Sequence, residues 1–195
     1  MWDERYRGED YVYGTAPNDF LRDQIEHIPA GRVLCLAEGE GRNAVFLAEQ
    51  GFHVTAVDQS SVGLSKARRL ATDRGVEIDT VVADLAGFSI GPDAWDGIVS
   101  IFGHMPPAAR RHIHREAVHG LRPGGVLVLE AYRPEQLQYK TGGPPSAEMM
   151  MDLDGLRTEL AGLEFEFAAE TVRDIHEGPL HYGPGAVVQV RARKP

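Results

Sequence analysis

Apolar positions along this chain recur with two different periods, and the switches between them divide it into alternating strands and helices. A short apolar run from Val33 to Leu36 reads as a buried strand. After it come Gly39 and Gly41, an amphipathic stretch from about Asn43 to Gln50, and a second run from His53 to Val57 that closes on Asp58. Ser60 and Ser61 can cap a helix to about Arg74, with Leu64, Ala67, Leu70 and Ala71 facing inward and Lys66, Arg68, Arg69 and Arg74 outward. Gly75 stops that helix, and the stretch VEIDTVVADL makes a third strand with Asp84 at its end. Trp95 to Ser100 or Ile101 reads as a fourth strand and Pro107 to about Gly120 as a helix. LRPGG, residues 121–125, turns sharply into a fifth strand, VLVLEA. A short helix from Asp152 to about Ala161 and two final strands, near 163–175 and 186–192, complete the pattern, while Asn18 caps an early helix carrying Phe20, Leu21, Ile25 and Ile28. The expectation is one domain over residues 1–195: an α/β fold with a doubly wound, mostly parallel sheet of about seven strands and a C-terminal antiparallel hairpin.

Two segments lack periodicity. Residues 1–17 scatter Trp2, Tyr6, Tyr11 and Tyr13 among charges, and read either as a flap whose rings cover a ligand or as an arm packed on the domain's side. Residues 132–151 form a proline and glycine loop carrying Arg133, Gln136, Tyr139 and Lys140, in the style of a substrate lid, and run into Met149, Met150 and Met151, which fit a soft substrate wall or core filler.

Composition narrows the class. Hydrophobic residues at 43% and charged residues at 25% are ordinary for a globular protein. A formal net charge of -9 with scattered Lys and Arg argues against a nucleic-acid partner. The one cysteine, Cys35, sits inside the first strand, which leaves no disulfide framework and no thiolate metal cluster. His112, His114 and His119 lack metal spacing and read as surface residues, and His176 with His181 makes a pair without a third ligand, so no metal is expected. No apolar run has membrane-spanning length and the polar N-terminus does not read as a signal peptide, so the expected setting is cytoplasmic, without a membrane partner.

The chemistry gathers at the strand ends. In the first βαβ unit, two glycines remove Cβ atoms where a ligand approaches the backbone, the next helix points free N–H groups at the same place, and Asp58 can accept hydrogen bonds from a ribose diol. Both a nicotinamide dinucleotide and S-adenosylmethionine fit that spacing. Glu38 and Glu40 would place two negative charges beside a pyrophosphate, which favours the sulfonium cofactor. Asp84 can accept from an adenine amino group while the Leu85 N–H meets a ring nitrogen. Beyond the fourth strand lie Phe102, Gly103, His104 and Met105, where a methyl acceptor would approach. His104 titrates near neutrality and is the candidate catalytic group there, acting as a base or orienting the acceptor.

LAEGEGRN after the first strand, Asp58 after the second, Ala83-Asp84-Leu85 after the third and LRPGG before the fifth form an ordered set over Val33 to Ala131. In that order they resemble the class I S-adenosylmethionine-dependent methyltransferases. EGEGRNAVFLA together with Tyr13 to Asn18 is similar, more narrowly, to the tellurite-resistance and thiopurine methyltransferase branch, which is thought to act on soft chalcogen nucleophiles. The resemblance implies a Rossmann-like fold, S-adenosylmethionine as cofactor and a small-molecule methyl acceptor such as a thiol, selenium or tellurium species. It assigns cofactor binding to Gly39, Gly41, Asp58, Asp84 and Leu85; Glu38, Glu40, Asn43, Gln59, Ser100 and Phe102 complete the candidate set. Relatives carry an aspartate and a glycine where this chain has Cys35 and Ala37, so the acidic contact to the methionine ammonium is expected to move to Glu38. A nicotinamide oxidoreductase and a non-catalytic cofactor-binding module are the competing classes.

Overall fold

The computed structural model describes residues 2–195. Helices α1 (Trp2–Arg5) and α2 (Asp19–Gln24) lead into strand β1 (Arg32–Leu36). Then follow α3 (Arg42–Glu49), β2 (His53–Asp58), α4 (Ser61–Asp73), β3 (Asp79–Val82), β4 (Trp95–Ile101), α5 (Pro107–Gly120), β5 (Leu121–Tyr132), α6 (Leu153–Glu159), β6 (Glu164–His176) and β7 (Tyr182–Arg193). All seven strands join one sheet in the order β3-β2-β1-β4-β5-β7-β6. The first five are parallel, and β7 pairs antiparallel with both β5 and β6. The chain runs outward in one direction from β1 to β3 and in the other from β4, so the crevice for a ligand opens at the carboxyl ends of β1 and β4.

Period-two alternation along β1 distributes its side chains between two cores. Leu34 and Leu36 face the layer of α5 and α6 with Ile113, Ala117, Leu156 and Leu160. Val33 and Cys35 face Phe20 and Leu21 of α2, Ala44 and Leu47 of α3 and Leu64 of α4. Burial raises the Cys35 thiol pKa well above its usual value, which makes it a small core hydrophobe and not a nucleophile.

Several elements differ from their expected form. The third strand shrinks to Asp79–Val82 because it is an edge: Val81 and Val82 are exposed there, and a strand with one neighbour has nothing to hold its ends. LRPGG is incorporated into β5 as an irregularity, with Trp95 opposite Leu121 but Gly97 opposite Val126, and Gly124 at φ +83°. Lys66, expected outward, is buried, with its Nζ donating to the carbonyls of Gly8 and Asp10 at 2.9 and 2.6 Å. His114, expected at the surface, is buried with Nδ1 2.7 Å from the Glu159 carboxylate. The 132–151 stretch is tied down by buried Gln136, which accepts the Ala186 N–H at 2.8 Å, and Met150 and Met151 are core residues.

Candidate cofactor and acceptor site

The loop after β1 folds by left-handed backbone at Ala37 (φ +52°), Gly39 (φ +61°) and Gly41 (φ +91°). Ala37 therefore adopts a conformation that glycine holds without cost, and its methyl group is the only departure at that position. A Cβ on Gly41 would lie 2.5 Å from the Ala67 Cβ, so this glycine lets α4 pack against the loop. A Cβ on Gly39 would lie 2.7 Å from the Tyr6 hydroxyl. The glycine face thus accepts a polar, oxygen-sized group.

Glu38 and Asp58 hold the backbone of the βαβ unit itself. Glu38 Oε1 accepts the N–H groups of Asn43 and Ala44 at 3.0 and 2.8 Å, which caps α3 where Gly41 has no side chain to do so. Burial pushes the Glu38 pKa up to about 7. Asp58 accepts Gly39 N–H on Oδ2 and Ser60 N–H on Oδ1, both at 2.8 Å, and burial raises its pKa as well. A carboxylate offers about four lone-pair positions, so Asp58 keeps capacity for a diol while it holds the loop.

Glu40 corrects the electrostatic reading of the loop. It accepts Val12 N–H at 2.8 Å and pairs with Lys66 at 2.5 Å, both partners in or against the N-terminal arm. With Glu40 neutralised and Glu38 turned to the helix, the two acids do not confront a ligand, and their repulsion of a pyrophosphate loses its basis. Residues 2–17 lie across this end of the sheet. Tyr6 is buried over Gly39, Trp2 stacks on it at 5.8 Å, and Asp3 accepts the Ser60 hydroxyl at 2.6 Å. A cavity of about 150 Å³ lies between Trp2, Asp3, Gln59 and Ser60. Asp84 is exposed and accepts the Ala86 N–H at 2.9 Å, beside the buried Leu85.

Across the crevice the rim is aromatic. Ser100 is buried at the end of β4, and Phe102 follows with φ +52°, its N–H donating to the Glu130 carbonyl at 2.8 Å. The Phe102 ring lies 4.6 Å from Tyr132 and 4.6 Å from His181, which lies 4.5 Å from Tyr13. His104 joins this group but not as a free base. Its Nε2 accepts the Tyr132 N–H at 2.9 Å, and burial lowers its pKa to about 4, so the nitrogen is committed to the backbone of β5. Tyr139 is outside the cluster.

Beneath the aromatic rings runs an ionic network that sequence reasoning missed. Glu177 accepts from Arg42 at 2.7 Å, from Arg173 at 2.5 Å and from the Asn18 amide at 3.0 Å. Arg173 also donates to the fully buried Glu130 at 2.6 Å, whose other oxygen accepts from Gln189 at 2.8 Å. Burial opposes ionisation of Glu177, yet Arg42 and Arg173 hold its pKa below the usual carboxylate value. These charges close on themselves and leave the rim neutral. Among the described residues no group of His, Cys, Asp and Glu is arranged for a metal ion, and no helix is long and apolar enough to cross a membrane.

This fold has many counterparts. A structure solved for the conversion of a disulfide bond into a thioacetal group during echinomycin biosynthesis superimposes with TM-score 0.80 at 21% identity, covering 99% of this chain and 90% of that one. TehB from Haemophilus influenzae gives 0.74 at 18% identity, covering 100% and 66%. Both define the Rossmann-like architecture. In sequence, a demethylmenaquinone methyltransferase of Clavibacter sepedonicus is 36% identical over 106 residues, 54% of this chain and 42% of its own length. The chain spans about half the length of the curated relatives it matches. Residues 33–125, just under half of the chain, match the family described as a methyltransferase domain, and the fold around them is shared with a solved S-adenosylmethionine-dependent methyltransferase from Clostridium acetobutylicum. S-adenosylmethionine is the cofactor of that class, and the nicotinamide alternative gives way to it. The residues fit once the arm moves: Asp58 keeps acceptor capacity for an adenosine's ribose diol, and the Gly39 face has room for a ligand atom where the Tyr6 hydroxyl now sits.

Proposed function

We propose that this chain methylates a small, neutral, soft nucleophile, a thiol or selenol, at the carboxyl ends of β4 and β5. The observation that carries this reading is the acceptor wall itself: the rings of Phe102, Tyr132, Tyr13 and His181 over charges that are already paired. Such a wall desolvates a polarisable neutral group at little cost and gives a free anion or cation no counterion. The arm and the β6–β7 turn close against each other at the wall, where a Cβ on Gly178 would fall 2.4 Å from the Tyr13 carbonyl carbon. A neighbour of the same fold, solved for the conversion of a disulfide bond into a thioacetal group, supports a sulfur-type acceptor.

S-adenosylmethionine supplies a methyl carbon already activated by its sulfonium. The chain's part is to hold, align and dry. Asp58 would take the ribose beside Gly39 with Tyr6 displaced, and Asp84 with Leu85 would take the adenine, while Gly41, expected at the cofactor, serves the packing of α4. His104 acts as a positioning residue that joins the end of β4 to β5. Incubation with S-adenosylmethionine and a panel of short thiols, selenols, selenite, tellurite, amines and phenols tests the reading. S-adenosylhomocysteine is expected to accumulate with thiols and selenols; accumulation only with the oxygen or nitrogen acceptors would overturn the substrate class.

A further inference from the structure

We infer that His181 is the residue that meets the methyl acceptor: its Nδ1 receives the hydrogen bond, and then the proton, of the acceptor's S–H or Se–H group. The inference rests on the acceptor reading above. His181 is 8% exposed, and its Nδ1 is buried without a hydrogen-bond partner. Two other side-chain atoms among the described residues share that status, and neither is comparable. Glu40 Oε1 faces the Lys66 ammonium, and Arg133 ion-pairs through its terminal nitrogen with Glu135 and Glu170. A ring nitrogen left bare in a folded interior calls for an explanation, and a ligand that completes it is one.

Two other histidines inside the fold, one part-buried and one buried, contrast with it. His104 is bound through Nε2 to the Tyr132 N–H, and His114 through Nδ1 to Glu159. His181 instead stands between the rings of Tyr13 and Phe102, with Tyr132 edge-on at 5.6 Å, so its surroundings are the acceptor wall. The β6–β7 turn fixes it there: Glu177 N–H donates to the His181 carbonyl at 2.8 Å, and His181 N–H to the Gly178 carbonyl at 3.2 Å.

Its surroundings also keep the ring neutral. Burial, with Arg42 second, lowers its pKa to about 3; His104 and Arg173 act in the same direction and Glu177 against. The ring is therefore neutral at physiological pH, and in the tautomer with its proton on Nε2 the Nδ1 lone pair is free. A group so weakly basic does not deprotonate a free thiol, but it does not have to. As the acceptor's lone pair forms the bond to the methyl carbon, the sulfonium carbon–sulfur bond breaks with its electron pair remaining on that sulfur. The acceptor atom, now carrying three bonds and a positive charge, becomes a far stronger acid than before. Its proton passes to Nδ1 and from there to solvent, leaving a neutral thioether or selenoether.

The first test reads the ring directly in the wild-type protein. With the chain saturated with S-adenosylhomocysteine, 2-mercaptoethanol is added and the imidazole ¹⁵N resonances are followed. Nδ1 of His181 is expected to move toward its hydrogen-bonded position while His104 stays; an unmoved His181 overturns the inference. The second test is kinetic, with His181→Phe, which keeps a ring in the stack. Cofactor affinity by calorimetry should be unchanged, and turnover at neutral pH should fall at least about tenfold, the low end for a lost proton acceptor. Wild-type turnover should be flat from about pH 6 to 8, whereas the variant should climb with pH toward the thiol's own pKa as thiolate replaces thiol. Equal turnover and equal pH profiles overturn it. If wild type accepts only amines or oxygen acceptors, the substrate class fails alone, and the same comparison on that acceptor then decides the role of His181.

Discussion

The carboxyl ends of β1 and β2 and those of β4 and β5 share one rim, yet they are built from opposite materials. On the first side the polar contacts that shape the loop are local, and only those that tie down the N-terminal arm are distant. Glu38 caps residues five and six positions on, and Asp58 holds Ser60 two positions on, so a single βαβ unit completes its own geometry. On the second side the partners are distant: Asn18 to Glu177 spans 159 residues and Arg42 to Glu177 spans 135. The acceptor wall likewise draws Tyr13, Phe102, Tyr132 and His181 from four separate segments. A locally built side can keep its cofactor while a globally built side changes its acceptor, because substitutions on the second side leave the loop hydrogen bonds of the first intact.

The largest test of this contrast is Glu177→Ala. Removing the carboxylate leaves Arg42 and Arg173 without their shared partner in a dry interior, and the expected loss is about 3–5 kcal/mol of unfolding free energy in urea. A loss below about 1 kcal/mol would mean that water reaches the network freely. Next is the pH dependence carried by Glu38. Its pKa rises from 4.5 when unfolded to about 7 when folded, so its stabilising contribution is full below about pH 4.5 and is lost as the pH rises through 7. Glu38→Gln should flatten stability over that window, removing a swing on the order of 2–3 kcal/mol.

Asp58→Ala acts on the cofactor side alone. It should weaken S-adenosylmethionine binding by about 1.5–3 kcal/mol in calorimetry while barely changing the fluorescence of the aromatic wall. An unchanged dissociation constant would reduce Asp58 to a clamp on Gly39. The smallest effects belong to the two histidines, with His104→Ala the larger. It strips the Tyr132 N–H of its acceptor and should cost about 1–2 kcal/mol of stability, whereas His181→Phe should cost less. The reverse order would exchange the roles assigned to the two histidines.

The side that was legible in the sequence is the local one. Strand, glycine turn, helix and strand-end acid follow each other within one unit, so β1, α3 and β2 fall within a residue or two of their expected bounds. What escaped depends on tertiary partners. Lys66 reads as solvent-facing on α4 until Glu40 and the arm carbonyls surround it, and His114 until Glu159 reaches it from α6. His104 was legible by position but not by role, because the Tyr132 N–H that occupies it belongs to a strand 28 residues away. His181 carried only one signal in the sequence, its place in a turn between the last two strands, and nothing local distinguishes a bare nitrogen from a satisfied one.

The arm over Gly39 also sets a clock. Tyr6, the Glu40 bond to Val12 and the three carbonyls gathered by Lys66 hold residues 2–17 across the loop, so a ligand reaches Gly39 only while these contacts are released together. Loading is then sequential: an opening that is first order in protein, followed by capture. Stopped-flow mixing with rising cofactor should give an observed rate that climbs and then saturates at the opening rate. If the spent cofactor leaves by the same door, the opening rate bounds turnover whatever is improved at the acceptor wall.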